Sequence, residues 1–309
     1  MKFSGIGGQA VMEGVMMRNK DKYAVAVRLP NKEIHIDIKE DKLDLGVWKK
    51  IPVVRGVVSF FASLIVGMKA LMYSASFFEE EEEEKADLTE EEMAAKARKE
   101  KAEMGTTLVV SFVIALGLFM VFPYYLSKAF AYYISSYSVM AFVEGMIRVT
   151  LFLCYIAFIS RMEDIKRVFM YHGAEHKCIN CIEHGLELNV ENVRKSDRQH
   201  KRCGTSFIFI VFLISVFVFM FIHVDSHVLQ LLLRLLLVPV IAGVSYEFIQ
   251  LAGRTENPVV NILSKPGMWV QNMTTREPDD DMIEVGIASV EAVFDWKKFQ
   301  EEMKEDDNK

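Results

Sequence analysis

The sequence predicts a mainly α membrane protein: a four-helix transmembrane bundle, an interfacial or re-entrant helix, and a small cytoplasmic α+β cap from the N- and C-terminal segments. Three observations predict it. Hydrophobic residues make up 51% of the 309 residues, yet 25% are charged, so the apolar residues must be gathered into blocks. Four blocks, near 106–126, 138–160, 205–223 and 227–250, approach or exceed the roughly 20 helical residues that cross a hydrocarbon core. The flanking segments carry the alternation and charge of water-facing structure.

In chain order, residues 1–50 are expected to be a β-rich cytoplasmic segment. "GIGGQAVMEGVMMRN" opens it, with four glycines in ten residues that allow tight turns and close backbone approach. Gln9 and Glu13, four apart, share one face if this stretch is a short helix. The apolar "AVMEGVMM" calls for packing against other structure rather than a free arm. "YAVAVRLPNKEIHIDIKED" alternates around a Pro-Asn turn and reads as a β-hairpin. Residues 51–78 are apolar but interrupted by Lys69 and entered through the basic "WKKIPVVRG". They are read as an interfacial or re-entrant helix, with Lys69 reaching the headgroups. The Glu-rich 79–104 is expected to be a solvated linker. A four-span membrane domain follows at 105–250. Its connector 161–204 is rich in Lys and Arg, whereas 127–137 and 223–227 hold only Lys128 and Asp225 as full charges. The positive-inside bias places 161–204, both termini and the 79–104 segment in the cytoplasm. Residues 251–309 form a C-terminal cytoplasmic segment, a short strand and then a helix.

Charge narrows the function. A net charge of −6 argues against a nucleic-acid partner, which needs a basic surface. The opening residues lack the basic, apolar and cleavage regions of a secretory signal. Three of the four cysteines lie in the connector, so thiol or metal chemistry in a reducing compartment is expected rather than a disulfide framework. Ionisable residues inside spans are functional candidates because each is costly in lipid unless paired. Glu144 and Arg148 are four apart, and Arg234 lies at a similar depth, so the three can cluster inside the bundle. Glu247 sits near the cytoplasmic end of the last span.

The densest chemistry is "YHGAEHKCINCIEH" at 171–184. His172 and His176 share a helical face, the spacing with which two imidazoles hold one metal, and Glu175 between them can act as ligand or general base. His200 and Cys203 follow in "RQHKRCGTSF", just before the third span. Imidazole and thiolate together suit Zn²⁺, so a divalent metal, zinc foremost, is expected on His172, His176 and either His200 or Cys203, with one position open. The Cys178–Cys181 pair with His184 is a weaker ligand set, readable also as a redox dithiol.

"GGQAVMEGVMMR", "YHGAEHK", "ENVRK…RQHKRCGTSF" and "KPGMWVQNMTTREPDDDMIEVGI" together resemble a widespread family of bacterial multi-pass membrane proteins of unknown function, catalogued as predicted metal-dependent enzymes. The resemblance covers nearly the whole chain and implies a multi-pass protein of the bacterial inner membrane. It implies functional positions at Gln9, Glu13 and Arg18, at His172, Glu175, His176 and Lys177, at His200, Arg202 and Cys203, and at Thr275, Arg276 and Glu277. Cys178, Cys181 and His184 fall outside those motifs.

The expected function is a metal-dependent hydrolase at the cytoplasmic leaflet. His172, His176, His200 and Cys203 are the metal candidates, and Glu175 or Glu13 the general base. Gln9, Arg18, Arg202 and Arg276 are the substrate-binding candidates, for an anionic group on a lipid-linked or membrane-protein substrate. The alternative is a non-enzymatic assembly or transport factor with a structural or sensing metal site. A dithiol redox protein is a third reading.

Overall fold

The computed structural model describes residues 2–40, 46–78, 90–130, 132–224, 226–255 and 257–307. The chain divides into two units: Met1–Phe77, Leu153–Val211 and Leu236–Lys309 in one, Phe78–Phe152 and Phe212–Leu235 in the other.

The first unit is built on a four-stranded antiparallel sheet in the order β1 (Gly7–Val11), β2 (Gly14–Asn19), β3 (Lys22–Arg28) and β4 (Ile34–Glu40). The hairpin expected around the Pro-Asn turn is β3–β4. The stretch before it is not the short helix in which Gln9 and Glu13 share a face. Val11 pairs with Gly14, so Met12 and Glu13 form a two-residue turn, with Glu13 at φ 48°. β2 and β3 are buried on both faces, which explains why "YAVAV" and "GVMM" are nearly continuous apolar runs.

Helix α1 (Val54–Ala75) packs against β1, β2 and β3. Read from sequence as interfacial, it is nonetheless long and apolar enough to cross a membrane. Residues 79–89 of the expected acidic linker lie outside the described residues. From Glu90 onward the chain is helical, as α2 (Glu90–Leu116), which runs through a π-turn at Gly117–Val121 into α3 (Phe122–Lys128). Then come α4 (Tyr137–Ile159), α5 (Glu163–Glu183), α6 (Val190–Lys195), α7 (Gly204–Phe219) and α8 (His227–Arg254). Among the described residues, four helices are long and apolar enough to span a bilayer: α1, Ala102–Lys128, α4 and α8. The expected third span is shorter: α7 has 16 residues, about 24 Å of rise against a core of about 30 Å.

After α8 come α9 (Pro258–Thr274), α10 (Asp280–Val293) and α11 (Trp296–Asp307). The strand expected in "DDDMIEVGIASVEAV" is α10 instead. Met282, Ile283, Gly286, Ser289 and Val290 recur at helical spacing on its buried face. Asp279 caps it by accepting from the Met282 N–H, and Asp280 and Asp281 complement its N-terminal dipole.

The core of the first unit lies where the sheet, α5 and α10 meet, around Val15, Met17, Ala26, Ile179, Ile182, Ile283 and Val290. α5 is its central element, with every residue from Gly173 to Glu183 buried. Such a helix cannot be amphipathic, and its polar residues must find partners inside. It stops at Gly185, in the left-handed region at φ 75°, with the Leu186 N–H returning to the Cys181 carbonyl.

In the second unit, Glu144 of α4 accepts from Arg148 at 2.7 Å and from Arg234 of α8 at 2.6 Å; all three are buried. Arg148 also donates to the Phe119 carbonyl and to Ser215. Two guanidinium groups thus share one carboxylate, a triad that ties α4 to α8.

Candidate metal centre

Three side chains converge beside the middle of α5, the pillar of the first unit. The ligand atoms of His172, His176 and Cys203 all lie within 4.8 Å of one another. Cys203 Sγ is 3.3 Å from His172 Nε2, and the two imidazole centroids are 4.4 Å apart. Tetrahedral zinc with bonds of about 2.0–2.3 Å sets its ligands roughly 3.5 Å apart. A shift of about 1 Å in the widest pair therefore closes the set on one ion.

Both histidines face the same way for a stated reason. His172 Nδ1 lies 2.8 Å from the Thr274 carbonyl and His176 Nδ1 2.6 Å from the Arg198 carbonyl. A carbonyl only accepts, so each Nδ1 carries the proton and each Nε2 is left as the atom turned to the cluster. The loop that carries the Arg198 carbonyl is itself held. Lys177 donates to the carbonyls of Arg194 and Ser196, and Asn180 to those of Asp197 and Gln199, on either side of Arg198. The pillar therefore grips the loop that delivers Cys203. Gln271 of α9 accepts from the His200 N–H and donates to the His200 carbonyl and to Ser206. Sequence reasoning missed Asn180, Gln271 and Gly8. Asn180, four residues past His176 on the same helical face, carried the one readable signal.

Charge reinforces the geometry. Burial works against a thiolate, yet His172 and His176 draw the Cys203 thiol well below its ordinary range. Burial also disfavours a charged His172, but Cys203 and Glu175 outweigh it and lift its pKa to about 9. Glu175 is buried, which raises its pKa, as does Cys203; the two histidines and a hydrogen bond from the Gly8 N–H pull the other way. Its Oε2 has no hydrogen-bond partner among the described residues. A buried carboxylate oxygen left unpaired beside two imidazoles and a thiolate fits a centre meant to hold a cation and a water. Gly8 makes room for it: a Cβ there would lie 3.0 Å from Glu175 Cδ and 2.6 Å from the Met16 carbonyl.

The other expected site residues are placed elsewhere. His200 stands beside His176, ring centroids 5.7 Å apart, but its Nε2 faces Glu183 at 3.5 Å. Burial, with Arg202 and His176 nearby, lowers its pKa to about 4, so it is neutral. Glu183 also accepts from Arg202 and Ser4. Arg202 lies over the Phe3 ring, and Arg276 donates to the Ser160 carbonyl. Glu13 is clasped by Arg167 through two contacts of 2.5 Å and accepts from Tyr171. Gln9 lies against Gly67 of α1, and Arg18 is near Ser63. Cys178, Cys181 and His184 are not brought into the cluster. Cys178 packs under Gly286, Cys181 points at the Leu186 and Glu187 carbonyls, and His184 bonds back to Asn180.

The profile of a family described as "Protein of unknown function (DUF1385)" matches residues 51–296, most of the chain and every member of the cluster. The chain belongs to the DUF1385 family. It is 35% identical over 286 residues to the uncharacterised protein YqhQ of Bacillus subtilis (strain 168), across 92% of this chain and 90% of that one. No solved structure matches it.

Proposed function

We propose that the chain is a membrane-embedded, metal-dependent hydrolase working at the cytoplasmic leaflet of the bacterial inner membrane. The observation that carries the reading is the unpaired Glu175 Oε2 beside His172, His176 and Cys203. The donor set of two imidazoles and one thiolate suits zinc and leaves a fourth position free, as catalytic sites do. A divalent cation there would supply Lewis-acid polarisation of a carbonyl or phosphoryl oxygen. Glu175 would take the proton of an attacking water and return it to the leaving group. His172 and His176 hold their tautomers through Thr274 and Arg198. The bonds of Glu13 to Arg167, Arg202 to Glu183 and Arg276 to the Ser160 carbonyl support a framing role for these three.

The packing supports one shared side for the sheet, α5 and α10, and the basic 161–204 segment supports the cytoplasm as that side. α1 begins with Arg55 paired to Glu247 and ends with Tyr73 against His35 of β4, within one unit throughout. That supports a helix lying along the surface, as its Lys69 also does. The alternative, an assembly or transport factor, draws on the buried Glu144–Arg148–Arg234 triad.

Elemental analysis of protein purified without chelators tests the reading. Near-stoichiometric zinc, iron or manganese is expected in wild type, lost in the His172→Ala/His176→Ala double variant and retained in Glu175→Gln, which fails to complement a deletion strain. Absence of metal from wild type overturns the metal-dependent reading. Full complementation by Glu175→Gln favours the alternative.

A further inference from the structure

Helix α9 is inside out. Val259, Ile262, Leu263 and Trp269 are each more than half exposed, at 64, 61, 55 and 56%. Ser264, Gly267, Gln271 and Thr274, with Val270, are its buried residues. At 3.6 residues per turn, Val259, Ile262, Pro266 and Trp269 fall within an arc of about 80°, with Lys265 and Asn272 on its flank. A helix at a water surface shows the reverse, apolar in and polar out. The small and polar inner face has structural work that accounts for it: Gly267 lets Ser206 approach, and Gln271 holds both backbone groups of His200. Among the described residues, nothing accounts for the outer face.

We propose that this face lies in the lipid–water interface, with the bilayer as its partner. Three features favour lipid over a protein partner. α9 starts at the end of the most extended apolar helix: α8 closes at Arg254, and Asn257 already caps α9 by accepting from the Val259 N–H. The apolar stripe contains a tryptophan and is bordered by a lysine, the pairing found where a helix lies at headgroup level. At 17 residues, about 25 Å, and with a polar inner face, α9 is suited to lie on a bilayer rather than cross it.

The placement sets the depth of the metal centre. The Thr274 carbonyl that orients His172 is five residues beyond Trp269, about 7.5 Å along the helix at 1.5 Å per residue. That carbonyl belongs to the inner face of the same helix, so the cluster is held within about one helix diameter, 10–12 Å, of the headgroups. On the hydrolase reading, on which this consequence alone rests, the substrate is an amphiphile anchored in the same leaflet, with its scissile bond near the headgroup.

The test compares wild type with Trp269→Phe, both reconstituted in phosphatidylcholine–phosphatidylglycerol vesicles containing brominated lipid. Trp48 and Trp296 are common to both, so the difference emission reports Trp269. Bromine near the ester end of the acyl chain is expected to remove most of that emission, and bromine near the methyl end much less. Aqueous acrylamide is expected to remove little. Quenching by acrylamide but not bromolipid would place α9 in water. Quenching by neither would mean that protein, such as a second copy of the chain, covers the face. Stronger quenching from the methyl end would make α9 a span. Each overturns the proposal. The readout needs neither metal nor activity, so its failure is separable from failure of the hydrolase reading.

Discussion

Gly173 sits between His172 and Ala174 on the pillar, and replacing it with alanine pits two effects of opposite sign. Helix propensity alone makes Gly→Ala in a helix interior favourable by about 0.8–1 kcal/mol. The added Cβ, however, would land on the Arg276 carbonyl oxygen, within 3.2 Å of its carbon and 3.4 Å of Pro278 Cδ. None of these is the free end of a flexible side chain. The Arg276 N–H is fixed to the Phe169 carbonyl, its guanidinium to the Ser160 carbonyl, and Thr275 to Gln271. Overpacking costs about 1–3 kcal/mol, and backbone against backbone belongs in the upper half of that range. A net loss of about 1–2 kcal/mol is expected, read as a fall of roughly 2–8 °C in the unfolding midpoint of detergent-solubilised protein. Moving Arg276 also drags the Thr274 carbonyl from His172, so metal affinity, measured against a chromophoric chelator, falls about 10–100-fold. Gly105→Ala is the control: it lies in α2 with no neighbour within 4 Å and should be neutral or slightly stabilising. A Gly173→Ala protein as stable as wild type, binding metal equally well, would refute the close-contact argument.

Glu144→Gln leaves two buried guanidinium groups without their shared carboxylate and is expected to cost about 3–5 kcal/mol; adding Arg234→Met should recover part of it, measured by thermal unfolding in detergent. Acid should weaken the first unit in two steps. Burial and Arg202 hold His200 near pKa 4 against an ordinary 6.5, so the unfolded chain takes that proton first and stability falls between pH 6.5 and 4. Burial alone would raise Glu183, but His200 and Arg202 bring it to about 2, so its contribution, complete above 4.5, is lost between 4.5 and 2. His200→Gln should flatten the first step of the midpoint-versus-pH curve; an unchanged curve would refute the assignment.

How much of this was legible depends on what a letter can encode. The apolar blocks were plain because block length alone marks them. The β1–β2 hairpin was hidden because Gly7, Gly8 and Gly14 dilute strand propensity, and because the Gln9–Glu13 spacing also fits a helix. His172 and His176 were readable from their spacing. Cys203 and His200 stand too close together in "RQHKRC" for spacing to rank them; Glu183, seventeen residues earlier and on another element, turns His200 away. The acceptors of Thr274 and Arg198 are backbone carbonyls, which no residue type announces. The outer face of α9 escaped notice because Ser264, Lys265, Gly267 and Gln271 dilute its hydropathy, and only the burial of Ser264, Gly267 and Gln271 reveals which side is which.

The pieces that set up the centre are scattered along the chain. Gly8 holds Glu175, the pillar brings His172 and His176, a loop behind them brings Cys203, and Thr274, 102 residues beyond His172, fixes the first imidazole. A ribosome releases these parts in order, and the last emerges only after every long apolar helix has been made. A nascent or truncated chain therefore has no ordered ligand set to capture passing metal. On the proposed metal-dependent reading, loading would be a property of the finished protein alone, and a product cut off before α9 should be empty as well as inactive.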